Sequence, residues 1–402
     1  MKSCVITGAA RTAVGGYLGS LKTVEAQDLA AAVLKEAAGR SGIALEQVDQ
    51  VVMGDVYGYT PNVARCAALI AGVPEQTPAY TVDRQCASSL QAVVSAVYEI
   101  MSGEADIILA GGTEVMSRLT YYMDPSTRAE PLKMGNKTLY DTFFNGVTLV
   151  QPKSLYPGLN MGLTAENVAA KHSITREEQD RFALDSQSKM KKALEEGRFK
   201  DEIVPYEVKL RKSSFIFDTD EHPRPETSME TLGRLKPAFK EGGTVTAGNS
   251  SGMNDGASAV VVMSEEKAKE LGCKPLVKIV SHSSAGVDPS VMGLGPVPAI
   301  QKALKKAGLT LEDIDLFEIN EAFAAQSLGV LKELGMDVGS RLYERVNVNG
   351  GAIAHGHALA NSGTRILTTL IYELKRRGGR YGVASLCIGG GQGMALVIEN
   401  CR

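Results

Sequence analysis

Two stretches, EAAGRSGIALEQVDQVVMGDV at Glu36–Val56 and KALKKAGLTLEDIDLFEINEA at Lys302–Ala322, decide how the fold is read. Each runs from the end of an amphipathic helix, through a stopping glycine, into an apolar strand. Aligning Gly42 with Gly308 places Leu45, Glu46 and Asp49 over Leu311, Glu312 and Asp315 without a gap, and Gly54 over Asn320. Two similar α/β halves in one chain explain this economically, although one short matched segment also arises by coincidence.

Outward from these stretches the alternation continues. CVITG, QVVMG, AYTVD and DIILAGG read as strands. EAQDLAAAVLKEAAGRSG reads as a helix, and SSLQAVVSAVYEIMSG as a helix with Leu90, Val93, Val94, Val97 and Met101 on one side. The expectation is an α/β fold with a mainly parallel sheet. Between the halves the character changes to tyrosines, prolines and charges. There TREEQDRFALDSQSKMKKALEEGRF is expected as a surface helix, with Thr175 and Gln179 near its start. Such an insertion serves as a binding lid or as an oligomer-contact segment.

The 402 residues carry 43 Lys and Arg against 46 Asp and Glu, without a basic tail or stripe, which argues against nucleic acid as a partner. The first residues lack a signal-peptide layout, and no apolar run approaches the ~18 residues of a membrane span. A soluble cytoplasmic protein is expected. Cys4, Cys66, Cys86, Cys273, Cys387 and Cys401 show no CxxC or zinc-type spacing, so free thiols are expected.

Four places can carry chemistry. In YTVDRQCASSLQA, Cys86 sits where a strand gives way to a helix. A helix N-terminus, with Arg84 nearby, would lower its pKa; a buried corner cysteine is the alternative. In SLCIGGGQGMALVIE, Cys387 meets three glycines, which let a backbone approach a ligand or simply make a hairpin turn. In FEINEAFAAQS, Asn320 and Glu321 lie between strand and helix, where an Asn is an N-cap or an amide holding a water or oxyanion. In NGGAIAHGHALANSG, Asn349–Gly363, two histidines stand among glycines. No third metal ligand accompanies them, and a histidine there suits a base that activates a thiol.

With these residues in place the chain resembles the thiolases, closest to the biosynthetic acetyl-CoA acetyltransferases. The likeness runs in order through ARTAVGGYLG, AGGTEVMS, MGLTAENVA, DEIVP, GTVTAGNSSGMNDGA, GVDPSVMGLGPVPA, NEAFAAQS, VNVNGGAIA and CIGGGQGMALVIE. It implies two βαβαβαββ halves in five layers (αβαβα) with an inserted loop domain. The boundaries expected are 1–116 and 247–273 for the first half, 117–246 for the insert and 274–402 for the second half. It implies Cys86 as the acylated nucleophile, His357 (not His355) as its base, and Cys387 as the acid/base at the α-carbon. Asn320 would hold a water that binds the enolate oxygen with His357, and the N–H groups of Cys86 and Gly389 would form a second oxyanion hole.

For coenzyme A the resemblance implies Arg224 near the nucleotide, Thr231, and Ser251 beside the pantetheine, with Phe239, Ala247, Met161 and Phe323 lining the channel. The implied reaction joins two acetyl-CoA into acetoacetyl-CoA and CoA, reversibly, with no metal or redox cofactor and in a homotetramer. A thiol must hold the acyl group because the thioester carbanion needs a positioned partner, and a second group must move the α-proton.

Several positions depart from the family pattern. It has Asn at Asp83, Cys-Gly-Ser-Gly at Cys86–Ser89, His at Asn160, Leu or Ile at His355, Pro at Ala358 and Gly at Ala360. These leave the local backbone and the acyl-chain preference open. The competing readings are a degradative 3-ketoacyl-CoA thiolase, a condensing synthase with a Cys-His-His or Cys-His-Asn set, and a non-catalytic acyl-CoA binder. Retention of Cys86, His357 and Cys387 together argues against the last two.

Overall fold

The computed structural model describes residues 2–129 and 132–401. Its nine principal strands are β1 (Cys4–Thr12), β2 (Gln50–Gly54), β3 (Ala79–Val82), β4 (Ile107–Val115), β5 (Asn254–Ser264), β6 (Val277–Gly286), β7 (Leu316–Ile319), β8 (Tyr381–Ile388) and β9 (Gln392–Asn400). The main helices are α1 (Ala26–Ser41), α2 (Val63–Ala71), α3 (Ser88–Ser102), α4 (Met161–Lys171), α5 (Arg176–Glu195), α6 (Pro296–Ala307), α7 (Ala324–Leu334) and α8 (Ser362–Arg377). The strands lie in the order β7-β8-β9-β6-β1-β5-β4-β2-β3.

The two opening stretches are structural equivalents. Gly42 and Gly308 close α1 and α6 in the left-handed region, at φ +77° and +68°, where a side chain is strained. Each is followed by a short 3₁₀ turn, Leu45–Gln47 or Leu311–Asp313, and then by β2 or β7. The matched aspartates do matched work. Asp49 accepts the N–H groups of Asp106 and Ile107 at the start of β4 (2.8 and 2.9 Å), and Asp315 those of Arg380 and Tyr381 at the start of β8 (2.6 and 3.1 Å). Coincidence is excluded by this shared chemistry.

Strand alternation sorts side chains into layers. Along β2, Val51 and Met53 pack with α1 and α2, whereas Val52 packs with α3 and α8. Along β8, Val383 and Cys387 pack with α6 and α7, whereas Ala384, Leu386 and Ile388 face α3 and α8. Helices, strands, helices, strands, helices: α3 and α8 form the shared middle layer. This explains why α3 is buried beyond the one side expected, with Ala92 and Ala96 also inaccessible.

Three expectations need correction. Among these nine strands, parallel pairing is confined to β7–β8, β4–β2 and β2–β3, and the five central pairs are antiparallel. The reason is connectivity: β8 and β9 are a hairpin, and β5 returns from the insert rather than through a crossover helix. The third strand of the second half shrinks to a single bridge, Phe317 to Val346. There the Asn347 side chain takes the place of a neighbouring strand, accepting Ile319 N–H at 2.9 Å and donating to Ile319 C=O at 2.8 Å. Helix α5 is only partly a surface helix, since Gln179, Asp180 and Ser186 are buried; its capping box pairs Thr175 with Glu178, not Gln179.

The excursion between β4 and β5 is anchored to β1 by a buried ion cluster. Arg11 donates to both oxygens of Asp220 (2.8 and 2.9 Å) and to Glu202 (2.7 Å), and all three side chains are inaccessible to solvent. Removing the cation would strand two buried carboxylates. Arg11→Ala is therefore expected to cost about 3–5 kcal/mol, read as a fall in the urea midpoint at neutral pH; an unchanged midpoint would show that the cluster does not hold the insert.

Candidate active site

The nucleophile candidate is built by its own turn. After β3, Asp83 accepts Gln85 N–H at 2.7 Å, and Ser88 Oγ accepts Arg84 N–H at 2.9 Å while donating to Gln85 C=O at 2.6 Å. Gln85 is thereby held at φ +47°, a conformation that a non-glycine residue adopts only when its surroundings impose it. Cys86 follows in a 3₁₀ turn that runs straight into α3. The expected depression of its pKa is outweighed. Burial pushes the thiol up to about 11, the N–H groups of Gly389 and of Cys86 itself pull it down, and Glu114 and Asp83 push it further up.

The turn carrying Cys86 packs against β8 and against the turn at Leu359–Asn361, just beyond His357. Gly112 permits this approach, because a Cβ there would lie 2.1 Å from Ala360 C=O. His357 is positioned by its neighbours. Its N–H donates to Asn254 Oδ1 at 2.9 Å, and Gly356, at φ +98°, has the Asn254 amide where a side chain would be. The tautomer follows from the ring's partner. Ser362 Oγ lies 2.6 Å from Nδ1 and gives its own proton to Ala358 C=O at 2.8 Å. Nδ1 must then be the donor, which leaves Nε2 with a free lone pair, buried and unpartnered among the described residues. Burial, then Arg365, pushes the imidazole down to about 3, so it is neutral at pH 7.

His355 belongs to the anchoring cluster instead. It is fully buried, with Nε2 3.1 Å from Asp220 but not aligned for a hydrogen bond, and it packs on Phe199 at 5.1 Å. Burial pushes it down to about 4.

Asn320 is not an N-cap: α7 begins at Ala324, with Phe323 before it. Both polar atoms of the Asn320 side chain are buried without a partner among the described residues. The neighbouring Glu321 explains the seat. Its carboxylate accepts Ser186 Oγ (2.7 Å), Asn347 Nδ2 (2.8 Å) and Ile353 N–H (3.3 Å), linking the β7 end to α5 and to the loop that leads to His357. Cys387 is buried near the end of β8; burial first, then Cys86, pushes its thiol far up. The glycine run makes the hairpin turn, Gly389–Gly391, and the Gly389 N–H is among the groups that pull the Cys86 thiol down.

The channel residues divide. Met161 opens α4 with its sulfur 3.7 Å from where a Gly389 Cβ would lie. Phe239 packs edge-on to Phe323 at 5.9 Å, and Ser251 N–H donates to Ala322 C=O at 2.9 Å, so these residues gather beside Asn320. Ala247 is exposed in the adjoining 3₁₀ turn. Arg224 and Thr231 stand exposed on the insert; the Thr231 hydroxyl caps the short helix Met229–Gly233 with Ser228.

The sequence reading missed a carboxylate that acts on Cys86, and the neighbour that acts on it in turn. Glu114 is fully buried and accepts the N–H groups of Tyr57, Ala360 and Val56 at 3.1 to 3.3 Å. Burial, and then the neighbouring Asp55, push its carboxyl up; burial does the same to Asp55. Nothing local marked either residue, because their effect comes from strands β2 and β4 lying side by side.

Comparison with known proteins fits this geometry. Residues 4–266 match the family "Thiolase, N-terminal domain" and residues 273–400 "Thiolase, C-terminal domain". The chain belongs to the thiolase family. It is 51% identical to an acetyl-CoA acetyltransferase of Syntrophomonas wolfei over 401 residues, 99% of either chain. The crystal structure of the Bacillus anthracis acetyl-CoA acetyltransferase superposes with a TM-score of 0.93 at 47% identity, covering 100% of this chain and 99% of that one. Human mitochondrial 3-ketoacyl-CoA thiolase, solved in complex with CoA, gives 0.92 at 43% identity, covering 100% and 98%.

Within this thiolase the departures have structural accounts. Ala87 takes φ −102° and ψ 14°, and Ser89 is helical, so losing glycine strains neither. Ser89 Oγ accepts Thr364 N–H at 2.9 Å and donates to Asn361 C=O at 3.2 Å, tying the nucleophile's helix to the histidine's. Asn160 caps α4 by accepting Leu163 N–H at 3.0 Å. Ala358 supplies the carbonyl that orients Ser362, and Ala360 the N–H held by Glu114.

The raised carboxyls set a sign for pH. The folded state holds protons that the unfolded state releases near pH 4, so their contribution to stability is lost as pH rises from there through about 7 to 8. Asp55→Asn is expected to flatten this loss, read as a smaller difference between urea midpoints at about pH 5.5 and pH 8.5; an equal difference in both proteins would show that the pair does not titrate there.

Proposed function

We propose that this enzyme catalyses the reversible Claisen condensation of two acetyl-CoA to acetoacetyl-CoA and CoA, through an acetyl group carried on Cys86. The observation that carries the assignment is the packing of the Cys86 turn against β8, which ends in Cys387 and the Gly389–Gly391 hairpin turn, and against the turn just beyond His357.

Cys86 gives its proton to the free Nε2 of His357 as its sulfur attacks the first thioester. The tetrahedral oxyanion lies between the N–H groups of Cys86 and Gly389, each worth about 3 kcal/mol by the standard of other acyl-transfer sites. His357 returns the proton to the departing CoA thiol. Cys387 gives its own proton to the again neutral His357, and the resulting thiolate, a strong base because burial pushes its thiol far up, takes an α-proton from a second acetyl-CoA. His357 and the unpartnered amide of Asn320, through a water, receive the enolate oxygen. The carbanion attacks acetyl-Cys86, and the departing Cys86 sulfur takes back the proton held by His357.

Coenzyme A and its thioesters are substrates, and the reaction as drawn needs no metal or redox cofactor. Arg224 would lie near the nucleotide, with Thr231 also on the coenzyme and Ser251 beside the pantetheine, while Phe239, Ala247, Met161 and Phe323 would line the channel, with residues 117–246 as the inserted loop domain. A homotetramer in the cytoplasm completes the reading; exposed Tyr121, Leu139 and Phe144 on the insert offer apolar contact area. Among the described residues no helix is long and apolar enough to cross a membrane.

Cys387→Ala is expected to abolish condensation while leaving Cys86 able to take a radiolabelled acetyl group from acetyl-CoA. Absence of label on Cys86 in that variant would reverse the assigned roles. Light scattering on the purified protein tests the assembly, with about four chain masses expected and one or two opposing it.

A further inference from the structure

Two arginines, Arg11 and Arg365, are the largest of the fully buried side chains. Arg11 is accounted for, since its donors meet Glu202, Asp220 and the Thr12 carbonyl. Arg365 is not. Neither terminal nitrogen of its guanidinium has a hydrogen-bond partner among the described residues. Glu318, Glu202 and Asp220 favour its charge only from a distance, while burial and Arg11 oppose it. A guanidinium stays ionised even so, and a buried cation with no acid bonded to it is unfavourable for the fold.

Its place on α8 supplies a reason. Ser362, Arg365 and Thr369 share one face of the helix. Ser362 Oγ meets the His357 ring at 2.6 Å, and Thr369 Oγ1 donates to Glu202 at 3.1 Å. Arg365 therefore lies between the base and the anchoring cluster. Helix α8 also packs on β7, where Glu318 faces the middle layer with Leu316, opposite Phe317 and Ile319; Asn320, next in the alternation, carries the ladder on to Ser385 C=O at 2.9 Å. Glu318 does not cancel the cation: burial pushes its carboxyl up to about 8 against the pull of Arg365, so it is largely protonated at pH 7. Ionisable groups stand on the elements packed around α8 and the His357 turn: Cys86 before α3, Cys387 on β8, Glu114 on β4, Asp255 on β5, Arg11 on β1, Glu318 on β7, and His355 on the loop itself. Beyond burial, Arg365 is the charge that acts on the His357 ring.

We propose that Arg365 is a positioning residue whose fixed charge acts through His357, keeping the ring a proton acceptor at rest and driving each borrowed proton back out of it. The proposal rests on the thiolase chemistry above and adds a residue to it. At rest the guanidinium opposes a second positive charge on the imidazole, so Nε2 keeps its lone pair for the Cys86 proton well into the acid range. Once the ring has taken that proton, the same repulsion favours its departure. The Nε2–H bond breaks, an S–H bond forms on the leaving CoA, and the ring is neutral again with no proton gained or lost. The step is repeated when Cys387 lends its proton and Cys86 takes it. The enolate that forms beside Asn320 is negative, and the same cation favours it.

The test is CoA-dependent cleavage of acetoacetyl-CoA by the full-length enzyme, read as the ratio of kcat/KM at about pH 5.5 to that at about pH 7.5. An imidazole titrating at its ordinary value of about 6.5 is neutral in only about one molecule in ten at the lower pH. Arg365→Met is therefore expected to lower the ratio by about five- to tenfold relative to wild type, and Arg365→Lys, which keeps the charge, to stay within about twofold. A ratio shared with the other variants cancels the titration of every group they have in common. A ratio unmoved in Arg365→Met, or lowered equally in Arg365→Lys, would overturn the proposal, the second by showing that shape and not charge matters. Wild type gives a check that needs no variant. Diethyl pyrocarbonate modifies only the neutral ring, and its rate at His357, followed by mass spectrometry, is expected to hold down to about pH 5.5; a fall of about tenfold there would also overturn it. No cleavage by wild type at any pH, with no acetyl group on Cys86, would instead overturn the thiolase chemistry, and this proposal with it.

Discussion

The junction between the two central helices is the constraint on which the rest of the structure depends. Thr364 N–H donates to Ser89 Oγ at 2.9 Å, joining the start of α8 to the start of α3. Helix α3 begins two residues after Cys86, and α8 begins at Ser362, whose hydroxyl meets the ring of His357. Packing the helices in one layer between two sheets therefore brings nucleophile and base candidates together from opposite halves of the chain. Gly112 and Glu114 on β4 complete the junction, one by leaving room for Ala360 C=O and the other by holding Ala360 N–H.

Burial is the second theme. It pushes the thiols of Cys86 and Cys387 up and the imidazole of His357 down, so the resting site holds neutral thiols and a neutral base. Desolvation outweighs the N–H groups that favour a thiolate. In the proposed reaction charge develops only when substrate is present, in surroundings where the Asn320 amide is already fixed in place. Donors fixed before the reaction need no reorganisation while it proceeds, which is the source of their effect.

Much of this was legible along the chain. The repeated helix–glycine–turn–strand unit announced two halves, because a stopping glycine and a polar cap are local requirements that recur with the unit. Cys86, Cys387, Asn320 and the histidine pair stood out because each lies at a strand end beside glycine or a helix start. The choice between His357 and His355, and the roles of the set, came from the family likeness rather than from spacing. The antiparallel centre of the sheet was not legible, since strand direction depends on where a long insertion returns the chain. Nor was Asn347 standing in for a strand, because a side chain that mimics a backbone leaves no periodic trace.

By itself the sequence determined the α/β class, the two halves, the insert and the short list of candidate reactive residues, all of which follow from local periodicity, capping and short motifs. Only the tertiary structure decided what those groups are. It made Asn320 an amide with no partner among the described residues instead of a cap, reversed the expected shift of Cys86, gave His357 its tautomer through Ser362, and placed His355 in the anchoring cluster with Asp220. The reason is common to all four: protonation and hydrogen bonding respond to distance and solvent, and both are set by residues far away in the chain.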